Sequence, residues 1–299
     1  LGALRGCAEA GGGRLSGTPL ELSPLVTLAV LGAALLHAGW NAMIKSSSDK
    51  LLDTALICLC GAAAMVPFLI VVPPPARASW PYLAASLAVH IVYFFAIVGA
   101  YRAGDLSHGY PIMRGFAPLL VALCVFALFG EALPPAMWLG VALICGGVLY
   151  LGFSGFDATR SRKALAWALL NAVIIAVYTL VDAQGVRLSG NPLGYVVWMF
   201  FVDCLPFGLI VLALRRGELV RYVAGNWWRG LLGGLSSAAA YGIAIWAMTR
   251  APVAAVAALR ESSVVFAALI GTLLLGEGHR RARIAGAVAV AAGIAALKL

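Results

Sequence analysis

Stretches of about 20 apolar residues, parted by short polar breaks, recur along the whole chain. A hydrocarbon core of ~30 Å is crossed by about 20 helical residues. Spans are predicted near 25–45, 53–72, 80–102, 106–129, 134–153, 164–186, 191–214, 227–249, 254–275 and 281–298. Composition points the same way. Of 299 residues 63% are hydrophobic and 11% charged, with a mean hydropathy of +0.97. A soluble domain averages roughly 45–50% apolar and ~25% charged residues. The excess is too large for one buried core, so lipid is the solvent for most of this chain. The fold class expected is an all-α membrane protein of ten transmembrane helices.

A net charge of +9 invites a nucleic-acid reading, but the basic residues form no stripe beside aromatics. They sit in the breaks, as in 160-RSRK-163, Arg215–Arg216 and Arg280–Arg281, where basic residues orient a chain in a bilayer. Their larger share lies on the side opposite the termini, which places the termini outside the cytoplasm. Cys58, Cys60, Cys124, Cys145 and Cys204 all fall inside spans and read as small buried hydrophobes. Residues 1–24 carry 11-GGGR-14, without a compact apolar core and cleavage site or the Gly-Lys-Ser/Thr close of a phosphate loop, and read as a disordered tail.

The chain also repeats itself. Sliding the second half back by 146 residues lays Arg260 on Arg114, Gly276–Glu277 on Gly130–Glu131, Gly286 on Gly140 and Gly293 on Gly147. At an offset of 148, Tyr241 meets Tyr93 and Arg250–Ala251 meets Arg102–Ala103; at 138, Tyr178 meets Trp40. Five spans repeated twice enter the membrane from opposite sides, an inverted repeat of the kind that places a transport site near the midplane. The domains expected are a tail over 1–24, a five-helix repeat over 25–153, a linker over 154–163 and a second repeat over 164–299. Gly140 with Gly147, and Gly286 with Gly293, each mark one helix face on which backbones approach closely.

The stretch 101-YRAGDLSHGYPIMRGFAPLLVALCVFALFGEALPPAMWLGVALICGGVLYLG-152, with its second copy from Thr249 to Leu297 and Trp40–Asn41 in the first span, resembles the EamA module of the drug/metabolite transporter superfamily. The resemblance implies a ten-helix carrier of two inverted halves. Members move amino acids, sugar nucleotides, other metabolites or drugs. It would more often imply cytoplasmic termini, against the charge count. Val264 stands where the first copy has Pro118, so the halves have diverged.

Ionisable groups inside spans are costly and face a partner, the bundle interior or a cavity. Arg114 and Arg260 are candidates for holding a substrate carboxylate, since guanidinium pairs with it bidentately; a helix-tying charge pair is the competing reading. Glu261 and Asp203 are candidate proton or coupling sites, and Asp182 lies near the end of span six, within reach of an interface. His90 shares a helix face with Phe94, Ile97 and Tyr101, which suits an aromatic-lined cavity or plain packing. Tyr93 with Tyr241, and Trp40 with Tyr178, are matched between halves and are candidate substrate contacts. His37 reads as a hydrogen-bonded core residue. Pro111 and Pro118 favour a bend in span four. Trp80, Trp138, Trp227 and Trp228 read as interfacial anchors.

The chain shows no His-x-x-x-His pair, no two carboxylates at helical spacing inside one span and no Gly-x-Ser-x-Gly elbow. No metal, no cofactor and no enzymatic activity are therefore expected. The function expected is export of small metabolites, foremost neutral or aromatic amino acids, by alternating access through a central cavity. The alternatives are a proton-coupled exporter of drugs or other metabolites and, in a different class, a membrane-embedded enzyme or channel. Two deep arginines are too few for a sugar nucleotide. The partners expected are a small-molecule substrate and the lipid bilayer, with no nucleic acid, in a monomer or weak oligomer. The location expected is the cell membrane, multi-pass, and the inner membrane in a bacterium. With His37 the only titratable side chain between Pro24 and Lys45, and Asp203 and Glu261 the remaining carriers, flux is expected to run down its own gradient without an obligatory proton.

Overall fold

A computed structural model describes residues 22–103, 106–130, 132–154, 162–267 and 280–298. The turn at Gly276–Glu277 and the tail before residue 22 lie outside them. The helices are α1 (Pro24–Lys45), α2 (Lys50–Val71), α3 (Trp80–Ala103), α4 (Leu106–Phe129), α5 (Pro135–Phe153), α6 (Arg162–Leu188), α7 (Pro192–Met248), α8 (Val253–Arg260) and α9 (Arg280–Ala296). Helical backbone resumes over 262–267, and no strand occurs among the described residues. Among the described residues seven helices, α1 to α7, are long and apolar enough to cross a membrane.

The starts and stops follow local chemistry. Ser23 accepts from the Val26 amide ahead of Pro24 in α1, and Asp49 accepts from Leu51 and Leu52 ahead of α2. Such caps satisfy amides that a helix start leaves unpaired. Gly130 after α4 and Gly190 after α6 have φ of 64° and 62°, a left-handed stop that favours glycine. The sequence Gly190–Asn191–Pro192 then restarts the chain at once, with Asn191 accepting from the Gly194 amide. Pro111 and Pro118 lie inside α4, which stays helical through both.

Two predicted spans, 191–214 and 227–249, run together in α7. Its 57 residues would reach about 85 Å if straight, far beyond a ~30 Å hydrocarbon core. It is not straight: Arg215 has φ −135° and ψ 42°, outside helical geometry. The two limbs fold back on each other, with Gly242 against Val196 and Tyr241 6.2 Å from Phe200, ring to ring. The connecting segment carries good helix formers such as Glu218, Leu219 and Arg221, so helical backbone persists where a loop was expected. The turn is clasped to α2. Arg215 donates to Asp49 at 2.8 Å and pairs with Glu218. Tyr222 donates to the fully buried Asp53 at 3.0 Å. Burial opposes ionisation of Asp49, but the Leu52 amide and Arg215 prevail and hold its carboxyl below the ordinary range.

Glycines set the closest approaches. α2 lies in the cleft between the limbs of α7: Leu59 fills the space a side chain at Gly208 would need, and Leu56, Ile57 and Gly61 do so at Gly230, Gly233 and Gly234. α5 and α9 cross through the four glycines singled out by their spacing. Gly140 faces Gly293 and Leu297, and Gly147 faces Gly286 and Ala289. Toward lipid the bundle presents Leu25, Ile70, Leu214 and the indoles of Trp80, Trp227 and Trp228, all half or more exposed.

Gly140→Leu pushes a side chain into Leu297 and the Gly293 carbonyl, 2.7 and 2.9 Å from a Cβ at that position. It should destabilise the protein by about 1–3 kcal/mol or more, the usual cost of overpacking. Gly146→Leu, with nothing within 4 Å of its Cβ position, should be near neutral. Thermal unfolding of the two variants in detergent checks the contrast.

Candidate functional site

The inner faces of α3, α6 and the second limb of α7 bring four rings together. His90 stacks on Tyr178 with centroids 4.6 Å apart. Tyr93 lies edge-on to Tyr178 at 5.8 Å, and Tyr241 does the same at 6.1 Å. Such edge-to-face pairs are favourable beyond their buried area. The sequence places His90, Tyr93, Tyr178 and Tyr241 as substrate candidates, and the structure gathers all four. The rings pack on one another between the helices.

The four-ring cluster borders a charged layer. α8 ends at Arg260, and the chain tightens at Glu261, where the Glu261 amide donates to Ala258 and the Val264 amide to Glu261, both three residues back. The expected ninth span is thus interrupted at the residues that carry its charges. Glu261 Oε2 lies 2.8 Å from Arg114 Nε of α4, both side chains buried. This is an ion-pair distance without an aligned hydrogen bond, and Arg114 Nη2 makes none either. Arg260 instead sets its guanidinium 4.8 Å above the Tyr241 ring, a cation–π contact. It is buried and, among the described residues, has no carboxylate within ion-pair distance. A cavity of ≈ 10 Å³ lies between Arg114, Pro118, Thr179, Ala257, Arg260 and Glu261, room for about one water.

Behind Tyr241 lies an acidic site. Asp182 is fully buried and accepts from the Tyr241 hydroxyl at 2.6 Å and the Tyr195 hydroxyl at 3.2 Å. α6 runs on to Leu188, six residues beyond Asp182, and Gly185, one turn further along, packs on Tyr195. Asp203 of the first limb is also buried. Its Oδ2 lies 3.3 Å from His90 Nδ1 and accepts from the Ser86 hydroxyl at 3.3 Å. His90 Nδ1 is also 3.0 Å from the Ser86 carbonyl.

Of the other candidates, Trp40 sits apart from the four rings. It lies edge-on to His37 at 5.1 Å, and His37 reaches Tyr110 at 3.4 Å. The side chains of Phe94 and Tyr101 lie outside the described residues. Sequence reasoning passed over Ser86, Tyr110 and Tyr195. Two of these carried a readable mark: Ser86 and Tyr110 stand four residues from His90 and Arg114, hence on the same helix faces.

Comparison with known proteins places this geometry in a family. Residues 162–299 match the EamA-like transporter family. An uncharacterized protein of Pseudomonas aeruginosa is 31% identical over 264 residues, covering 86% of each chain. A stretch of 69 residues is 33% identical to the spermidine export protein MdtI of Salmonella paratyphi B, spanning 63% of that protein and 23% of this chain. A solved crystal structure superposes with a TM-score of 0.72 at 20% identity, covering 92% of this chain and 98% of its own, a likeness of fold.

Removing Arg114 alone leaves Glu261 buried without its ion-pair partner. Arg114→Met should therefore cost about 3–5 kcal/mol, whereas Arg114→Met with Glu261→Leu, which removes both charges, should recover most of that loss. A double-mutant cycle by thermal unfolding in detergent measures the coupling.

Proposed function

The chain belongs to the EamA-like transporter family, and from that premise we propose that it exports small metabolites, foremost neutral or aromatic amino acids, by alternating access. One observation carries the reading: Arg260 is a buried guanidinium that leans on an aromatic ring and has no carboxylate partner among the described residues. A substrate carboxylate completes it with charge-assisted hydrogen bonds. The rings of Tyr93, Tyr178 and Tyr241 offer surface to an apolar or aromatic side chain. Arg114, by contrast, is engaged by Glu261 and serves to hold the site together. Trp40 and His37 extend the same interior toward α1.

The architecture proposed with it is ten spans in two inverted five-helix halves, over 25–153 and 164–299. The folding-back of α7 supports counting it as two spans, and the helical backbone on both sides of Glu261, over Val253–Arg260 and 262–267, supports a ninth. The contact of α5 with α9 supports the inversion. Under the 146-residue offset, the pair Gly140–Gly293 becomes Gly286–Gly147, and both contacts are present. A two-fold axis produces this self-reciprocal pattern. The protein is proposed to act in the cell membrane, the inner membrane in a bacterium, as a monomer or weak oligomer.

A second reading, export of organic cations, rests on Asp182 and Asp203, two buried carboxylates able to hold an amine, and on the partial likeness to a spermidine exporter.

Counterflow in proteoliposomes, over a panel of amino acids and spermidine, tests both. Saturable exchange of L-phenylalanine and its neutral relatives is expected; spermidine exchange with no amino acid exchange overturns the first reading for the second. Arg260→Ala should raise the half-saturating L-phenylalanine concentration about 10- to 100-fold, equivalent to a lost charged hydrogen bond of ~1.5–3 kcal/mol. It should leave phenethylamine, which lacks the carboxylate, unaffected.

A further inference from the structure

The acidic site behind Tyr241 is the buried chemistry that substrate binding leaves unused. Asp182 is fully buried and Asp203 is 7% exposed, and Oδ1 of Asp203 makes no hydrogen bond. Ser86 faces both carboxylates. The titratable and charged groups around them come from every neighbouring element: His90 from α3, Tyr178 from α6, Tyr195 and Cys204 from the first limb of α7, and Tyr241 from the second. Arg260 of α8 stands beyond the Tyr241 ring. Among the described residues no lysine or arginine lies within ion-pair distance of either carboxylate. Two neighbouring carboxylates sharing a water-poor site do not both keep a negative charge.

We propose that Asp182 and Asp203, with Ser86 facing both and His90 against Asp203, form a proton-binding site that exchanges its proton with one side of the membrane and then the other as substrate is exported. This rests on the transporter reading and deepens it. It departs from the expectation of uncoupled flux, which weighed Asp203 and Glu261 singly. Glu261 is taken by Arg114, while Asp203 has Asp182 for a neighbour.

Tyr241 couples the two sites. Its hydroxyl donates to Asp182 at 2.6 Å while its ring carries the guanidinium of Arg260. A proton on Asp182 removes the charge that holds the hydroxyl, and the ring under Arg260 is freed to move. Substrate on Arg260 draws the guanidinium from the ring and acts on the same residue from the other end. Proton and substrate thus act on one side chain from its two ends, which couples the two sites.

Two measurements on the full-length protein test the proposal. The first needs no substrate. Infrared spectra in lipid at neutral pH should show the carbonyl stretch of a protonated carboxylic acid, lost in Asp182→Asn or Asp203→Asn and kept in Glu261→Gln. Absence of the band in the unaltered protein, or its survival in both Asp→Asn variants, overturns the site. The second uses L-phenylalanine in proteoliposomes. An imposed pH gradient should drive several-fold accumulation, abolished in Asp182→Asn and Asp203→Asn while both keep counterflow. A merely structural role would lose both modes together. Accumulation by the variants equal to that of the unaltered protein, or drive by a sodium gradient instead, overturns coupling at these carboxylates. If L-phenylalanine is not carried in either mode, the substrate reading fails and the infrared result alone decides the proton site.

Discussion

Glu261 stands where its span loses regular helical geometry, and its carboxylate meets the Arg114 guanidinium across the bundle at 2.8 Å. In surroundings with so little water, a charge is tolerated when an opposite charge or a hydrogen-bonding group lies within reach. The pair consequently fixes how far α8 stands from α4. Successive residues on a helix point about 100° apart, so fixing Glu261 toward α4 turns Arg260 away from it, onto Tyr241. Tyr241 in turn reaches Asp182. The order of these groups, from ion pair to cation–π contact to carboxylate, follows from one contact between two helices that are distant in sequence.

Around this polar axis the helices are held by shape. Lipid tails are as apolar as leucine, so burial of apolar side chains gives little reason for one helix to prefer another over lipid, and close packing has to supply it. The glycines of α5 and α9 let two backbones touch, and those at Gly230, Gly233 and Gly234 let α2 settle between the limbs of α7. The ionic clasp of Asp49, Asp53, Arg215 and Tyr222 secures the same helix at its end.

Much of this was legible in the sequence, for physical reasons that also explain what was not. Span positions follow from hydropathy, and the glycine faces of α5 and α9 follow from spacing alone. Arg114 and Arg260 are matched in sequence yet differ in surroundings: one is paired with Glu261, the other leans on a tyrosine. Pairing between helices depends on which faces meet, and no local pattern encodes that. Asp182 was read near the end of span six, and its helix does end close by at Leu188; its burial against Tyr195 and Tyr241 depends on which faces meet and left no mark in apolarity. The fold-back of α7 falls at Arg215, just past the predicted end of span seven at 214, where basic residues mark a break in hydropathy. Tyr110 and Ser86 stood on the same faces as residues already chosen, so their part in the network was within reach of periodicity.

α2 seats between two limbs that follow it by more than a hundred residues, α3 binds α6 through the Asn171 amide on the Ala96 carbonyl, and α5 completes itself on α9. Chains emerge from the ribosome in order, and stretches that are complete in themselves fold as they appear. Here the early helices enter the bilayer with their glycine faces and buried polar groups still awaiting partners. Assembly is therefore a late event, gated by synthesis of the final helices. Until then the nascent half depends on lipid or the insertion machinery to shelter surfaces that its own sequence leaves open.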